Sequence, residues 1–509
     1  MRSSRQRNRR GEIATEYDKN ANKTEKRRTK MNFLKKAIAC ALSVFCAALV
    51  GCGGGTVSGS ETPGESGSAP EMQKETMPDY LETAGKEKFT VGMWVGIPEY
   101  KTYTDEFGRV LRTEAWTDEE FDAQYKMIAD AGFTLASTPN GLFSSEHIVR
   151  LCEAAEKYGL GQLVWDTELN KILFDSTLTD EEAAVKIRRA VVDYADYDSF
   201  YGNMITDEPN ASEFPRLAEA ARRYKKALPD KMFYLNLFPV YATNLQTGCD
   251  DYEEYLRQYE TLELDYVCYD NYPLKKGPGN TTVLKDDFLY NMQLCNNMQS
   301  KPKTWSFLQA MGFGSMKEPD CEADLRLQLN CALAYGQKAI QWFCYFSPGY
   351  GGSENFTPAI IALDGTPTAK YDYVKTVNNE IAAWGDVYMR FSLQKTMNFI
   401  GSDNAKGSNA AFNYYKTDNS HARIRSFSCR KDAIAGAFKD EEGRDGFMVV
   451  NYDAPSSEET NRIEISFNNC TKAIVIGRDG KKTVTEPQNG KLTLDLKASE
   501  GAFVIPLYL

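Results

Sequence analysis

Eight short runs of β-branched and aromatic residues, each followed by a segment of helical periodicity, recur between residues 89 and 346. They are 89–96 (FTVGMWVG), 133–139 (FTLASTP), 160–166 (LGQLVWD), 200–207 (FYGNMITD), 231–238 (KMFYLNLF), 265–272 (DYVCYDNY), 303–311 (KTWSFLQAM) and 338–346 (KAIQWFCYF). Each is apolar nearly throughout, as a strand covered on both faces must be, and each gap has room for one crossover helix. The first gap opens with Thr117 and Glu120, the pattern of a capping box, then sets Phe121, Tyr125 and Ile128 on one helical face. The third gap repeats the device at Thr179 and Glu182. Eight β-then-α units in about 300 residues are the arithmetic of a (β/α)8 TIM barrel, here spanning 88–390. A doubly wound open sheet is the alternative, but no G-x-G-x-x-G or G-x-x-x-x-G-K-[ST] turn follows any run.

The pattern changes after a last helical segment at 369–388. Runs at 433–438, 447–452, 462–467, 473–477, 492–496 and 502–507, parted by turn clusters such as 442–446 (EGRDG), predict a C-terminal all-β sandwich over 391–509. Its expected part is to support the barrel. At the other end, Lys35 and Lys36 precede the apolar run 37–51, which has the layout of a secretory signal and is short for a membrane span. Leu49-Val50-Gly51-Cys52 resembles the bacterial lipobox. That resemblance implies a signal peptide within 1–52, lipidation of Cys52, and a protein anchored in the membrane by lipid outside the cytoplasm. An uncleaved anchor helix is the alternative, and either Met1 or Met31 can be the start. Residues 53–87 open on a Gly, Ser, Pro and Glu-rich stretch that reads as a flexible linker.

Charge and rare residues narrow the chemistry. Residues 1–52 hold 13 of the 60 Lys and Arg but 4 of the 71 Asp and Glu, leaving 47 against 67 in the remainder. A body this acidic is not built to bind nucleic acid. The two histidines, His147 and His421, leave almost no material for a His-rich zinc site or a Ser-His-Asp triad. His147, at a helix start, is expected to be solvent-facing or a cap. Nine cysteines after Cys52 are scattered without a C-x-x-C and read as buried free thiols. No motif calls for a cofactor or a metal, although isolated carboxylates can gather calcium without one.

Functional residues of such a barrel lie at the C-terminal ends of its strands. Those positions hold Asp166 and Glu168, Asp207 and Glu208, Asn236, Asp270 and Asn271, Gln309, Trp342 and Tyr345, with Trp94, Trp165, Tyr269 and Tyr272 as further rings. Carboxylates and amides that bond hydroxyls, with rings that stack on pyranose faces, describe a sugar pocket. The segment 349–353 (GYGGS), followed by Glu354, is a candidate wall for it.

The run Ile205-Thr206-Asp207-Glu208-Pro209-Asn210 resembles the clan A glycoside hydrolases, of β-galactosidase and endoglucanase type, in which a Glu before Pro ends the fourth strand. The resemblance implies a carbohydrate substrate and casts Glu208 as general acid/base, with Asp207 where an Asn is usual. It departs at the seventh strand, where Gln309 occupies the position of the nucleophilic Glu. Asp270 is then the first choice for the second carboxylate and Asp166 the next. Gln309, Asn236, Asp166, Asp207 and the rings, Trp342 as subsite floor among them, would bind substrate. Bland readings stand beside these: a helix-start carboxylate pair for Asp207 and Glu208, a buried ion or hydrogen-bond partner for Asp270, a core amide for Gln309 and a core ring for Trp342. The expected function is glycoside hydrolysis. The alternatives are a glycan-binding surface lipoprotein on a degenerate barrel and a solute-binding lipoprotein of a transporter.

Overall fold

The computed structural model describes residues 77–508 apart from 82, 106–107, 139–143, 350–353 and 458. The signal segment, Cys52 and most of the linker lie outside the described residues. All eight predicted runs contain parallel strands: β1 (Thr90–Met93), β2 (Leu135–Ser137), β3 (Gly161–Val164), β4 (Phe200–Asp207), β5 (Met232–Asn236), β6 (Tyr266–Asp270), β7 (Lys303–Gln309) and β8 (Ala339–Phe343). Thr117 and Thr179 cap the helices Asp118–Asp130 and Asp180–Ala190 with complete capping boxes, and Phe121, Tyr125 and Ile128 are buried.

The single closed ladder expected from the sequence is corrected to two four-stranded sheets, β2-β3-β4-β5 and β1-β8-β7-β6. They touch at both edges. Leu237, just past β5, donates its N–H to Cys268 O at 2.9 Å, and Thr134, before β2, donates to Val91 O at 2.9 Å. At the second seam Thr134 Oγ1 takes the Val91 N–H that a carbonyl would receive in a ladder. Gly96 passes so close there that a Cβ would stand 1.7 Å from Ser137 O. A hydroxyl in place of a carbonyl, and a crossing only glycine can make, interrupt the ladder.

A hairpin of Tyr100–Thr104 and Val110–Ala115 follows β1. Its second strand is exposed along its whole length, so no apolar run marked it in the sequence. His147 is buried, contrary to expectation. Ser144 is the cap, and the imidazole Nε2 lies 3.2 Å from Ile97 O.

The C-terminal region is antiparallel β with one short helix, Ala410–Tyr414. Strands β9 (Phe391–Phe399), β10 (Ile424–Cys429), β11 (Ala433–Asp440), β12 (Asp445–Asn451), β13 (Thr460–Phe467), β14 (Lys472–Ile476), β15 (Lys482–Thr485), β16 (Lys491–Lys497) and β17 (Gly501–Leu507) form a six-stranded sheet, β9-β11-β12-β17-β14-β15, and a three-stranded sheet, β10-β13-β16. The two sheets read differently because they are covered differently. In β16, Leu492, Leu494 and Leu496 alternate with exposed residues, as one buried face requires. In β12 every residue is buried: Phe447 and Val449 face the three-stranded sheet, while Met448 and Val450 join the core of the eight-stranded part. Between them and β7 lies the helix Glu322–Ala334, buried along nearly its whole surface. Such a helix belongs inside a core rather than on its rim. Gly436 fits against it because a Cβ would stand 2.1 Å from Ala334 O.

Candidate active site

The C-terminal ends of β1, β4, β5, β6, β7 and β8 enclose a cavity of about 310 Å3. Its described walls are Trp94, Asp207, Glu208, Asn236, Tyr241, Asp270, Tyr272, Phe307, Phe313, Phe343, Glu354 and Phe356. A larger cavity of about 480 Å3 opens at the N-terminal ends of the strands, among Thr90, Lys231, Trp305 and Lys338. Functional groups of such folds gather at the C-terminal ends, where loops vary without disturbing the sheet. The smaller cavity is therefore the candidate.

Strand alternation decides which residues reach it. Gln341 spans the interior, its Nε2 donating to Tyr234 Oη at 2.7 Å and reaching Cys268 Sγ at 3.2 Å. Two residues further along each strand, Phe343, Asn236 and Asp270 point the same way. Strand β4 reaches this layer by a bulge at Ile205, since Met204 pairs with Tyr234 but Thr206 with Leu235. The slip sets Asp207 opposite Asn236. Asn236 Nδ2 then donates to Asp207 Oδ1 at 3.2 Å and to Asp270 Oδ1 at 3.3 Å. Glu208 follows at φ 46°, in the left-handed region that residues with a Cβ seldom adopt. Its N–H is held by Asn236 O at 2.8 Å, and Tyr255 Oη donates to Pro209 O at 2.7 Å. Val95, beside Trp94, is at φ 56°. Strain in the segments entering from both β1 and β4 is the kind that accumulates at functional sites.

The carboxyl groups are crowded and poorly solvated. Burial, and then the charge of Asp207, push Glu208 up to about 7, against a hydrogen bond with Asp270 that works the other way. Asp207 opens on the cavity, yet the surrounding protein pushes it up to about 6, opposed by the Asn236 amide. Asp270 is buried and rises well above the usual carboxylate range, from desolvation first and then from Glu208 and Asp207. Glu208 and Asp270 thus form a dyad of neighbouring carboxyls, both held above the usual carboxylate range. Opposite the dyad the walls are aromatic. Trp94 meets Phe307 edge-to-face at 5.5 Å, and Tyr272 packs on Phe313 and Phe343, each at 5.1 Å.

Of the residues singled out from the sequence, Trp94, Asp207, Glu208, Asn236, Asp270 and Tyr272 meet in this cavity. Asp166, Trp165, Tyr269, Gln309 and Trp342 are not among its walls. Asp166 Oδ1 caps the helix Thr167–Leu173 by accepting from Glu168 N and Leu169 N, and its Oδ2 accepts from Tyr194 Oη at 2.8 Å. Trp165 precedes that cap, half-buried against the core. Tyr269 and Trp342 sit on the opposite parity from Asp270 and Phe343, so they face the helix layer; Trp342 Nε1 donates to Asn378 Oδ1 at 2.8 Å. The floor ring contributed by β8 is Phe343. Phe307 and Phe343 were open to the same parity argument, whereas Tyr241, Phe313 and Phe356 come from loops without a period. Glu354 is in the wall, while residues 350–353 before it lie outside the described residues.

Gln309 is wholly buried and fully satisfied. Its Oε1 accepts from Leu274 N, and its Nε2 donates to Met311 O and Lys317 O, tying together the loops after β6 and β7. Gln309→Glu replaces a donor facing two carbonyls by an acceptor, and Gln309→Ala leaves three backbone groups unpaired. Either should lower unfolding free energy by about 3 kcal/mol, read from the urea midpoint. A variant as stable as the wild type would remove this role.

A comparison of the sequence with protein-family models found no match, nor did one with curated proteins. Among solved structures, the chain is similar to a catalytic mutant of a GH42 β-galactosidase from G. stearothermophilus, at 9% identity over 84% of this chain and 100% of that one, with a TM-score of 0.50. It is similar to an Anoxybacillus α-amylase at 11% identity over 82% of this chain and 98% of that one, with a TM-score of 0.45. For a β-galactosidase of the Antarctic haloarchaeon Halorubrum lacusprofundi the values are 13% identity, 58% of each chain and a TM-score of 0.37. The chain thus spans less than two thirds of that β-galactosidase. The first likeness shows a glycosidase-like fold.

Proposed function

We propose that the protein is a glycoside hydrolase whose eight parallel strands act as a (β/α)8 barrel, with Glu208 as general acid/base and Asp270 as the nucleophilic carboxylate. The observation that carries this reading is the Glu208–Asp270 dyad in a cavity walled by aromatic rings. Two neighbouring carboxyls, one protonated and one ionised, are the groups that glycoside cleavage uses. A nucleophilic role for Asp270 makes the reaction retaining, which calls for carboxyls about 5–5.5 Å apart, against about 6.5–9.5 Å for inversion. On binding, the glycosidic oxygen comes within reach of Glu208. Glu208 gives that oxygen its proton as the bond to C1 breaks, and Asp270 forms the new bond to C1. Water, deprotonated by Glu208, then displaces Asp270 from C1. The Asn236 amide stabilises Asp270 and Asp207 as anions, and Trp94 and Tyr272 offer surfaces for the ring.

Glu208 must carry its proton to act as an acid. Its proton is held up to about 7, so hydrolysis should fall off above neutrality. Initial rates on a panel of aryl glycosides between about pH 4 and 9 should give a bell with its basic limb near 7. A rate that stays flat through pH 9 would sink the assignment. Glycan binding without cleavage is the second reading, favoured by the missing carboxylate at Gln309, and it predicts no turnover of any glycoside that binds. The solute-binding reading needs two lobes parted by a hinge, and the two sheets here touch at both seams. We read Cys52 as a lipid anchor that holds the domain at the outer face of the cytoplasmic membrane or at the cell surface.

A further inference from the structure

The cavity holds more acid than hydrolysis uses. Two carboxyl groups suffice for cleavage, whereas Asp207, Glu208, Asp270 and Glu354 all line it. No Lys, Arg or His is among its described walls. Lys285 stands outside the lining, with its Nζ 3.2 Å from the centre of the Tyr241 ring. A second, independent observation comes from Asn236. It lines the cavity at 4% exposure, and its Oδ1 accepts no hydrogen bond although its Nδ2 makes two. A buried acceptor without a donor is destabilising, and a bound N–H relieves it. Trp94 and Tyr272, also in the walls, present π systems that attract cations, as the Tyr241 ring already does for Lys285. Excess carboxylate, an orphan acceptor and aromatic faces together describe a receptor for a cation.

We propose that the sugar ring this cavity takes carries an ammonium group, that is, an amino sugar with a free amine. The inference rests on the glycosidase reading of the same cavity and names its substrate class. The amine would supply the missing counter-charge beside Asp207 and Glu354, donate to Asn236 Oδ1, and rest against Trp94 and Tyr272. A uronic acid would add a further negative charge to a site with nothing to pair it.

Calorimetric titration of the intact protein at pH 7 tests the ranking without requiring turnover. The probes are the methyl glycosides of glucosamine, N-acetylglucosamine, glucose and glucuronic acid, together with the galacto series. In at least one series the free amine should bind about tenfold or more tighter than the neutral sugar and its N-acetyl form, with the uronide weakest. Glu354→Gln should reduce that preference about threefold. Equal, reversed or undetectable binding of both amino glycosides overturns the proposal. Failure of the hydrolase reading looks different: the amine preference stands while no glycoside is cleaved.

Discussion

Glu208→Gln should lower kcat/KM by about 10²- to 10⁴-fold on glycosides whose leaving group is an alkoxide, the range that positioned general-acid catalysis contributes. The same variant should lose no more than about tenfold on an aryl glycoside whose phenolate departs without a proton. The contrast separates loss of an acid from loss of folding or of substrate binding, which would penalise both substrates alike. Initial rates on the two substrate classes, with thermal melting to confirm the fold, provide the check. Equal losses on both, or none on either, would remove Glu208 from its role. The left-handed backbone at Glu208 adds a second reason for the choice. A glutamate is kept at φ 46°, where glycine would fit without strain, and function is the ordinary reason for such a cost.

Asp270→Asn should lower turnover by about 10³-fold or more on both substrate classes, because in the proposed mechanism it removes the group that bonds to C1. Added azide should restore part of the rate in a smaller-side-chain variant, Asp270→Gly, and release a glycosyl azide of opposite configuration at C1. Unchanged turnover in Asp270→Asn would show that the second carboxylate lies elsewhere. The variant also reports on stability. Asp207, Glu208 and Asp270 bind their protons more tightly folded than unfolded, through burial at all three and repulsion from neighbouring carboxylates at Glu208 and Asp270. For a carboxyl raised in this way, the stabilising contribution is present at acid pH, below the unfolded value near 4, and is lost as pH rises through about 6 to 7. The wild type should therefore melt lower at pH 8 than at pH 5. Asp270→Asn should be more stable than wild type at pH 8 by about 1 kcal/mol, with the difference shrinking toward pH 4. Lower stability of the variant at pH 8 would contradict the crowded-acid account.

Much of this architecture was legible because burial on two faces writes itself as an apolar run. All eight parallel strands were located that way, and the Thr117 and Thr179 capping boxes fixed two helix starts. The hairpin at 100–115 escaped because exposed strands carry no such mark. For the cavity, position on a strand was a better guide than residue type. Asp207, Asn236 and Asp270 end their strands with the parity of Tyr234 and Cys268, and they converge, with Glu208 following directly after β4. Trp342 and Tyr269 carry attractive rings on the wrong parity and turn to the helices. Asp166 and Gln309 look available in one dimension, yet the helix start at 167 and the loops after β6 and β7 use up their hydrogen-bonding capacity. Phe313 and Phe356 could not be foreseen, since only the folding of distant loops onto one another brings them to the wall.

The helix Glu322–Ala334 is pressed between β7 and the six-stranded sheet, and its Gln328 exchanges hydrogen bonds with the backbone of Gln309 at 2.7 and 3.0 Å. The sheet is therefore not a passenger that recombination could trade for another module. Cut away, it would present the Met448 and Val450 row to water, and the remaining half would present a helix with no polar side to turn outward. Each half is the other's solvent shield, so evolutionary change on this buried face must proceed in matched pairs, while the rim of the cavity can vary freely.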